Sequence, residues 1–96
     1  MITHIVLFKW KPGISKNQIQ KIFSDLRNPK SKLEGIEDIK SGESFSKYSE
    51  GFKYVLVVLT KGKKSLENYR KQPLHLEIAK QIKDLEEKSM AVDFEV

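Results

Sequence analysis

Cysteine is absent from this chain, which excludes both a disulfide framework and a thiolate metal site. Histidine occurs only twice, at His4 and His75. Neither has a carboxylate at His-x-x-Glu-type spacing, so no metal centre is expected. Two histidines and scattered serines make no Ser–His–Asp arrangement either. There is no Gly-x-Gly-x-x-Gly and no phosphate loop, which removes a dinucleotide, and no other cofactor is expected. The opening Met1-Ile-Thr-His-Ile-Val-Leu-Phe-Lys-Trp10 carries no basic run, and its apolar stretch is too short for the h-region of a signal peptide. No segment stays apolar long enough to span a bilayer. A cytoplasmic setting is expected, with no membrane partner.

What is present fits a single domain over residues 1–96. Hydrophobic residues make up 39% and charged ones 32%, the balance of a globular protein. A chain this short buries only about 60–65% of its unfolded surface, so its core is thin and a second copy would help it. The net charge of +5 comes from 18 Lys and Arg against 13 Asp and Glu, and the lysines are scattered. Their one cluster, Lys61-Gly-Lys63-Lys64, falls where a strand should turn into a helix and reads as a solvated turn. Nucleic acid is therefore not an expected partner.

Residues 2–10 alternate as a strand, with His4, Val6, Phe8 and Trp10 on one face and Ile5, Leu7 and Lys9 on the other. Lys11-Pro-Gly13 ends it. Ser15 opens a helix with Gln18 as capping-box partner, and Ile19, Ile22, Phe23 and Leu26 form its buried stripe. Asn28-Pro29 stops or kinks that helix. Gly35 releases the chain into a polar second strand, about Ile36 to Phe45, and Ser46 to Gly51 make the turn. Phe52 to Thr60 form a third strand, again apolar on both faces. A short helix, about Ser65 to Lys71, precedes another that starts at Pro73, where proline suits the first turn. Leu76, Ile78, Ala79, Ile82 and Leu85 give this helix its stripe. The last strand is Ala91 to Val96, with Val92, Phe94 and Val96 on one side.

This β-α-β-β-α-β order specifies an α+β, ferredoxin-like fold with a four-stranded antiparallel sheet. Two helical regions cover only one sheet face, yet strands one and three are apolar on both. An uncovered apolar face of several hundred Å² is rare on a monomer. The pattern predicts a homodimer through that face, closing a dimeric α/β barrel.

Four segments carry a family resemblance: His4-Ile-Val-Leu-Phe-Lys-Trp10, Gly51-Phe52-x-Tyr54, Tyr69-x-x-x-Pro73-x-His75 and Val92-Asp93-Phe94. Together, in this order, they resemble the stress-responsive A/B barrel (Dabb) family. The resemblance implies a homodimeric α+β barrel and a stress association in which no catalysis is required. It also implies an alternative. A plant polyketide cyclase on this scaffold performs an aldol-type ring closure with a histidine base at the position of His75 and a tyrosine at that of Tyr69. A histidine opening its first strand matches His4. This chain departs from it at three pocket positions, with Tyr54 and Gln72 in place of histidines and Leu26 in place of a tyrosine.

The residues agree with a pocket at that place. His75 has the ordinary pKa of a general base near neutral pH, and a neighbouring Tyr69 could orient it. His4 shares a strand face with Val6 and Phe8, and its expected bond is to backbone or to Tyr54. The expected site thus has His75 and Tyr69 as catalytic residues, with His4, Tyr54, Val6, Phe8 and Leu26 lining a ligand pocket. Beyond a second copy of the chain, a small apolar ligand is the partner such a pocket admits.

A remote alternative is RNA binding, since RNA-recognition-motif domains share the element order. Their strand-three signature, Lys/Arg-Gly-Phe/Tyr-Gly/Ala-Phe-Val-x-Phe/Tyr, meets Glu50-Gly-Phe-Lys-Tyr-Val-Leu-Val57 here. Gly51, Phe52, Tyr54 and Val55 fit, whereas Glu50, Lys53 and Val57 do not. Such domains need exposed aromatics on an open sheet, and the alternate residues here are aliphatic.

Overall fold

The alternation read along the first strand reappears as the two faces of a central strand. A computed structural model describes residues 1–27 and 33–96. The elements are β1 (Ile2–Trp10), α1 (Lys16–Arg27), β2 (Ile36–Glu43), β3 (Tyr54–Thr60), α2 (Lys63–Lys71), α3 (Pro73–Leu85) and β4 (Glu86–Glu95). The strands pair antiparallel in the order β2-β3-β1-β4, so the fold is ferredoxin-like, with its second helical region divided at Gln72. The expected stop at Asn28-Pro29 lies outside the described residues.

The capping box forms reciprocally: the Gln18 amide donates to Ser15 Oγ at 3.2 Å, and the Ser15 amide donates to Gln18 Oε1 at 3.2 Å. Ile19, Ile22, Phe23 and Leu26 are all buried. Along α3 only Ile78 and Ile82 of the stripe are buried, and Leu76 is 59% exposed. Residue 76 lies about 200° around the helix from residue 78, which turns it away from the core.

β4 starts earlier than its apolar pattern suggests. Glu86, Glu87, Lys88 and Ser89 carry no strand alternation, yet Trp10 pairs with Glu86 and Lys9 with Lys88, with a bulge between. The edge of β1 offers an unpaired backbone ladder there, and the Lys11 amide already reaches the Leu85 carbonyl at 2.9 Å. Backbone pairing overrides a polar sequence. β2 ends at Glu43 instead of Phe45, whose side chain is fully exposed.

The helices cover one sheet face, burying Ile2, His4, Phe8, Leu56, Val58 and Thr60. Phe23 of α1 is completely buried and packs 4.6 Å from the Tyr54 ring and 5.3 Å from Phe8. The opposite face carries Ile5, Leu7, Val55, Val57 and Leu59, none fully buried, and Met90, Val92 and Phe94, each more than 40% exposed.

The entry to β2 depends on Gly35. Its φ is +86°, and a Cβ there would lie 2.1 Å from Ser65 Oγ at the start of α2. The Gly35 carbonyl accepts the Lys61 amide at 2.8 Å, so the backbone cannot step aside cheaply. Gly35→Ala should destabilise the fold by more than about 1 kcal/mol, through both strain and overlap. Gly13→Ala, with a similar φ of +85° but open space around it, should cost less. Thermal midpoints of the two variants measure the difference.

Candidate functional site

The middle of β1 sets the position of the site. His4 faces the helices and stands across from Val58 on β3 and Asp93 on β4. Above it, the last turn of α2 supplies Tyr69 and Arg70. Gln72 then leaves helical geometry (φ −60°, ψ 136°), as a residue preceding proline prefers, and Pro73 restarts the chain as α3. That break brings the His75 ring edge-on to Tyr69, with centroids 4.7 Å apart.

Between these groups and the sheet lies a cavity of about 420 Å³. Val6, Phe8, Leu26, Leu56, Ile78 and Ile82 form its apolar wall, and His4, Arg70 and His75 line it as well. Lys83, Glu86 and Ser89 also line it, and its size and largely apolar wall with a few convergent polar groups suit a small molecule.

His4 is 5% exposed. Its Nδ1 donates to Asp93 Oδ1, and Arg70 Nη2 donates to Asp93 Oδ2 at 3.0 Å. One carboxylate therefore holds both the imidazole and the guanidinium. The same Nη2 stands 3.3 Å from His4 Nδ1. With the Nδ1 proton committed to Asp93, that approach is proximity and not a hydrogen bond. Among the described residues, His4 Nε2 has no protein partner, which leaves it for the cavity. Burial pushes the Asp93 carboxyl up, but the hydrogen bond and charge of His4, with those of Arg70, outweigh it and hold the group below its ordinary value.

His75 is displaced the other way. Burial lowers its pKa from the usual 6.5, and the positive fields of His4 and Arg70 lower it further, against a weaker raising effect of the Arg70 carbonyl. Its Nδ1 is buried with no partner among the described residues, so Nε2 is the nitrogen a cavity ligand can meet. Tyr69 is 1% exposed and lies behind His75. Its hydroxyl has no partner among the described residues, and burial raises its pKa. A neutral imidazole that is reluctant to take a proton, beside a second imidazole fixed by a carboxylate, is equipped for proton transfer to and from a bound molecule.

The structure thus gathers His4, Val6, Phe8, Leu26 and His75 on one cavity, with Tyr69 supporting His75 from behind. Tyr54 also faces the helices but opens on a separate hollow of about 210 Å³ with Trp10, Lys16 and Glu43. His4 takes Asp93 as partner, not Tyr54 or backbone. Arg70 and Asp93 were not singled out from sequence. Asp93 shows a faint signal, a charge of opposite parity to Val92 and Phe94, which assigns it to the helix-covered face.

A lowered histidine pKa makes stability pH-dependent with a definite sign. The unfolded chain binds a proton at His75 before the folded chain does, so this contribution is complete above about pH 6.5 and is lost as pH falls below it. The His75 ring protons should titrate below 6.5 by NMR. His75→Leu should lose less stability than the wild type on acidification from about pH 7 to about pH 5.

Comparison with known proteins bears on the same fold. The sequence profile described as Stress responsive A/B Barrel Domain matches residues 2–96. No curated protein matches the chain. A dimeric ferredoxin-like protein of unknown function from Jannaschia superposes with a TM-score of 0.90 at 20% identity, covering 99% of this chain and 98% of its own. A hydroxynitrile lyase from Passiflora edulis superposes with a TM-score of 0.87 at 22% identity, covering 99% and 92%. A Dabb family protein with a ferredoxin-like fold from Mesorhizobium loti gives 0.81 at 16% identity, covering 99% and 95%. At these identities the superpositions speak for the fold, and the profile speaks for descent. With the sheet order found here and a match over almost its whole length, the chain belongs to the stress responsive A/B barrel domain family.

Proposed function

We propose that this protein is a cytoplasmic homodimeric barrel that takes a small, apolar-bodied molecule into the cavity between sheet and helices, with His75 as the base for proton transfer. The observation that carries the reading is the meeting of His4, Arg70 and His75 at one end of a largely apolar cavity of about 420 Å³. His4 and Arg70 are paired through Asp93, but buried polar groups that lack such a partner cost stability. The hydroxyl of Tyr69, buried with no partner among the described residues, carries such a cost.

The reaction class that suits the site is removal of a proton from carbon beside a carbonyl. His75 Nε2 would take the proton, the C–H electron pair would form the carbon–carbon double bond of an enolate as the carbonyl π pair moves to oxygen, and the imidazolium would return a proton to close the cycle. Aldol-type ring closure starts with this step. Small ketones and polyketide-like thioesters incubated in deuterium oxide should exchange their α-hydrogens, as followed by NMR. His75→Ala should slow exchange by about 10²–10⁴-fold. Equal rates in the two proteins would remove the catalytic role and favour a stress-associated barrel that needs no catalysis.

Self-association has separate support. The helix-free sheet face bears Ile5, Leu7, Val55, Val57, Leu59, Val92 and Phe94, and the similar Jannaschia protein is dimeric. Sedimentation at micromolar concentration should give twice the 11.1 kDa chain mass. Val57→Asp, which would bury an unpaired charge in the interface, should cost about 3 kcal/mol of association or more and yield monomer. A wild type of monomer mass would contradict the dimer.

A further inference from the structure

Arg70 is the residue on the cavity wall whose charge the apolar lining does least to explain. It occupies the last turn of α2, and its side chain is 44% exposed. It lines the cavity and also the adjoining surface hollow, which holds Lys63, Glu67, Asp93 and Glu95. Through Nη2 it donates to Asp93 Oδ2, and the other oxygen of that carboxylate is taken by His4. The contact fixes the guanidinium without consuming it. Among the described residues, no acceptor meets Nη1 or Nε.

The carboxylate on the cavity wall lies at a distance. Lys83 and Glu86 line it as well, but Glu86 stands opposite Trp10, whereas Asp93 stands opposite His4. That separation is roughly 20 Å, taken along β1 from His4 to Trp10 at ~3.3 Å per residue. At the His75 end the guanidinium field is strong enough to help keep the imidazole neutral. At the His75 end the cavity therefore offers planar, preset donors, while Glu67 and Glu95 line the adjoining hollow and not the cavity wall.

Building on the cavity being a ligand site, we propose that Arg70 makes it selective for molecules that carry a carboxylate at one end and an apolar body at the other. The carboxylate accepts from the free edge of the guanidinium, an arrangement for which the fork of arginine is suited and a lysine ammonium is not. The apolar body runs along Val6, Leu26 and Ile78. Asp93 acts here as a positioning residue that holds Arg70 in place.

The test compares octanoate with octanamide, which has nearly the same shape and no charge, by titration calorimetry at physiological salt. Wild type should bind octanoate about tenfold more tightly than octanamide, or better, as a charge-assisted pair predicts. Arg70→Gln should bring the ratio close to one, through a greater loss of octanoate affinity than of octanamide affinity. Arg70→Lys, which keeps the charge without the fork, should retain only part of the preference. Matched thermal midpoints establish that both variants are folded, and the half-exposed position tolerates either side chain. Octanoate and octanamide binding equally to the wild type, or an undiminished preference in Arg70→Gln, would overturn the role of Arg70 and leave the cavity as a ligand site. Binding of neither probe would overturn both.

Discussion

The pairing register of β1 with β4 is the constraint on which the site rests. His4 stands opposite Asp93 because that ladder runs unbroken from Ile2 to Lys9. A shift of one residue would turn Asp93 toward the helix-free face and bring Val92 or Phe94 under the helices. His4 would then keep a buried ring with no carboxylate, and Arg70 would lose its anchor. The alternation of apolar residues on the two strands opposes such a slip. The same pattern that makes the sheet thus aligns the polar cluster.

From this register the electrostatics follow. One carboxylate serves an imidazole and a guanidinium, and their charges keep it ionised below its ordinary range. The pair it holds also repels a proton from His75, already disfavoured there by burial. Two histidines about one cavity therefore have different environments. His4 is oriented by a partner, whereas His75 is left neutral with Tyr69 behind it. This separation of environments is how acid and base assignments arise in enclosed sites. The proposed carboxylate selectivity adds a place where a substrate's own charge would be held while its body lies along the aliphatic wall.

Much of the fold is legible in the residues, because long apolar alternation leaves few alternatives. β1, β3 and the stripe of α1 read directly, as does the capping box of Ser15 and Gln18. The start of β4 does not, since Glu86 to Ser89 are recruited by a neighbour's backbone and not by their own side chains. The site was half legible. His4, Val6, Phe8, Leu26 and His75 share a cavity, as strand parity and helix spacing suggest. Tyr54 has the right parity but lies further along β3, where Trp10 and Phe23 enclose it. Arg70 and Asp93 are hidden in sequence because their meeting depends on a strand register and a helix rotation 23 residues apart. A single charged residue in a strand, or at the end of a lysine-rich helix, reads as surface until that contact is seen.

The central claim is that a ligand enters the space between helices and sheet, with its polar end at Arg70 and His75. Intermolecular nuclear Overhauser effects from bound octanoate test this most directly. The terminal methyl and chain should contact the side chains of Leu26, Val6 and Ile78, with the carbon beside the carboxylate near His75. Contacts confined to Val55, Val57 and Val92 on the helix-free face would contradict it.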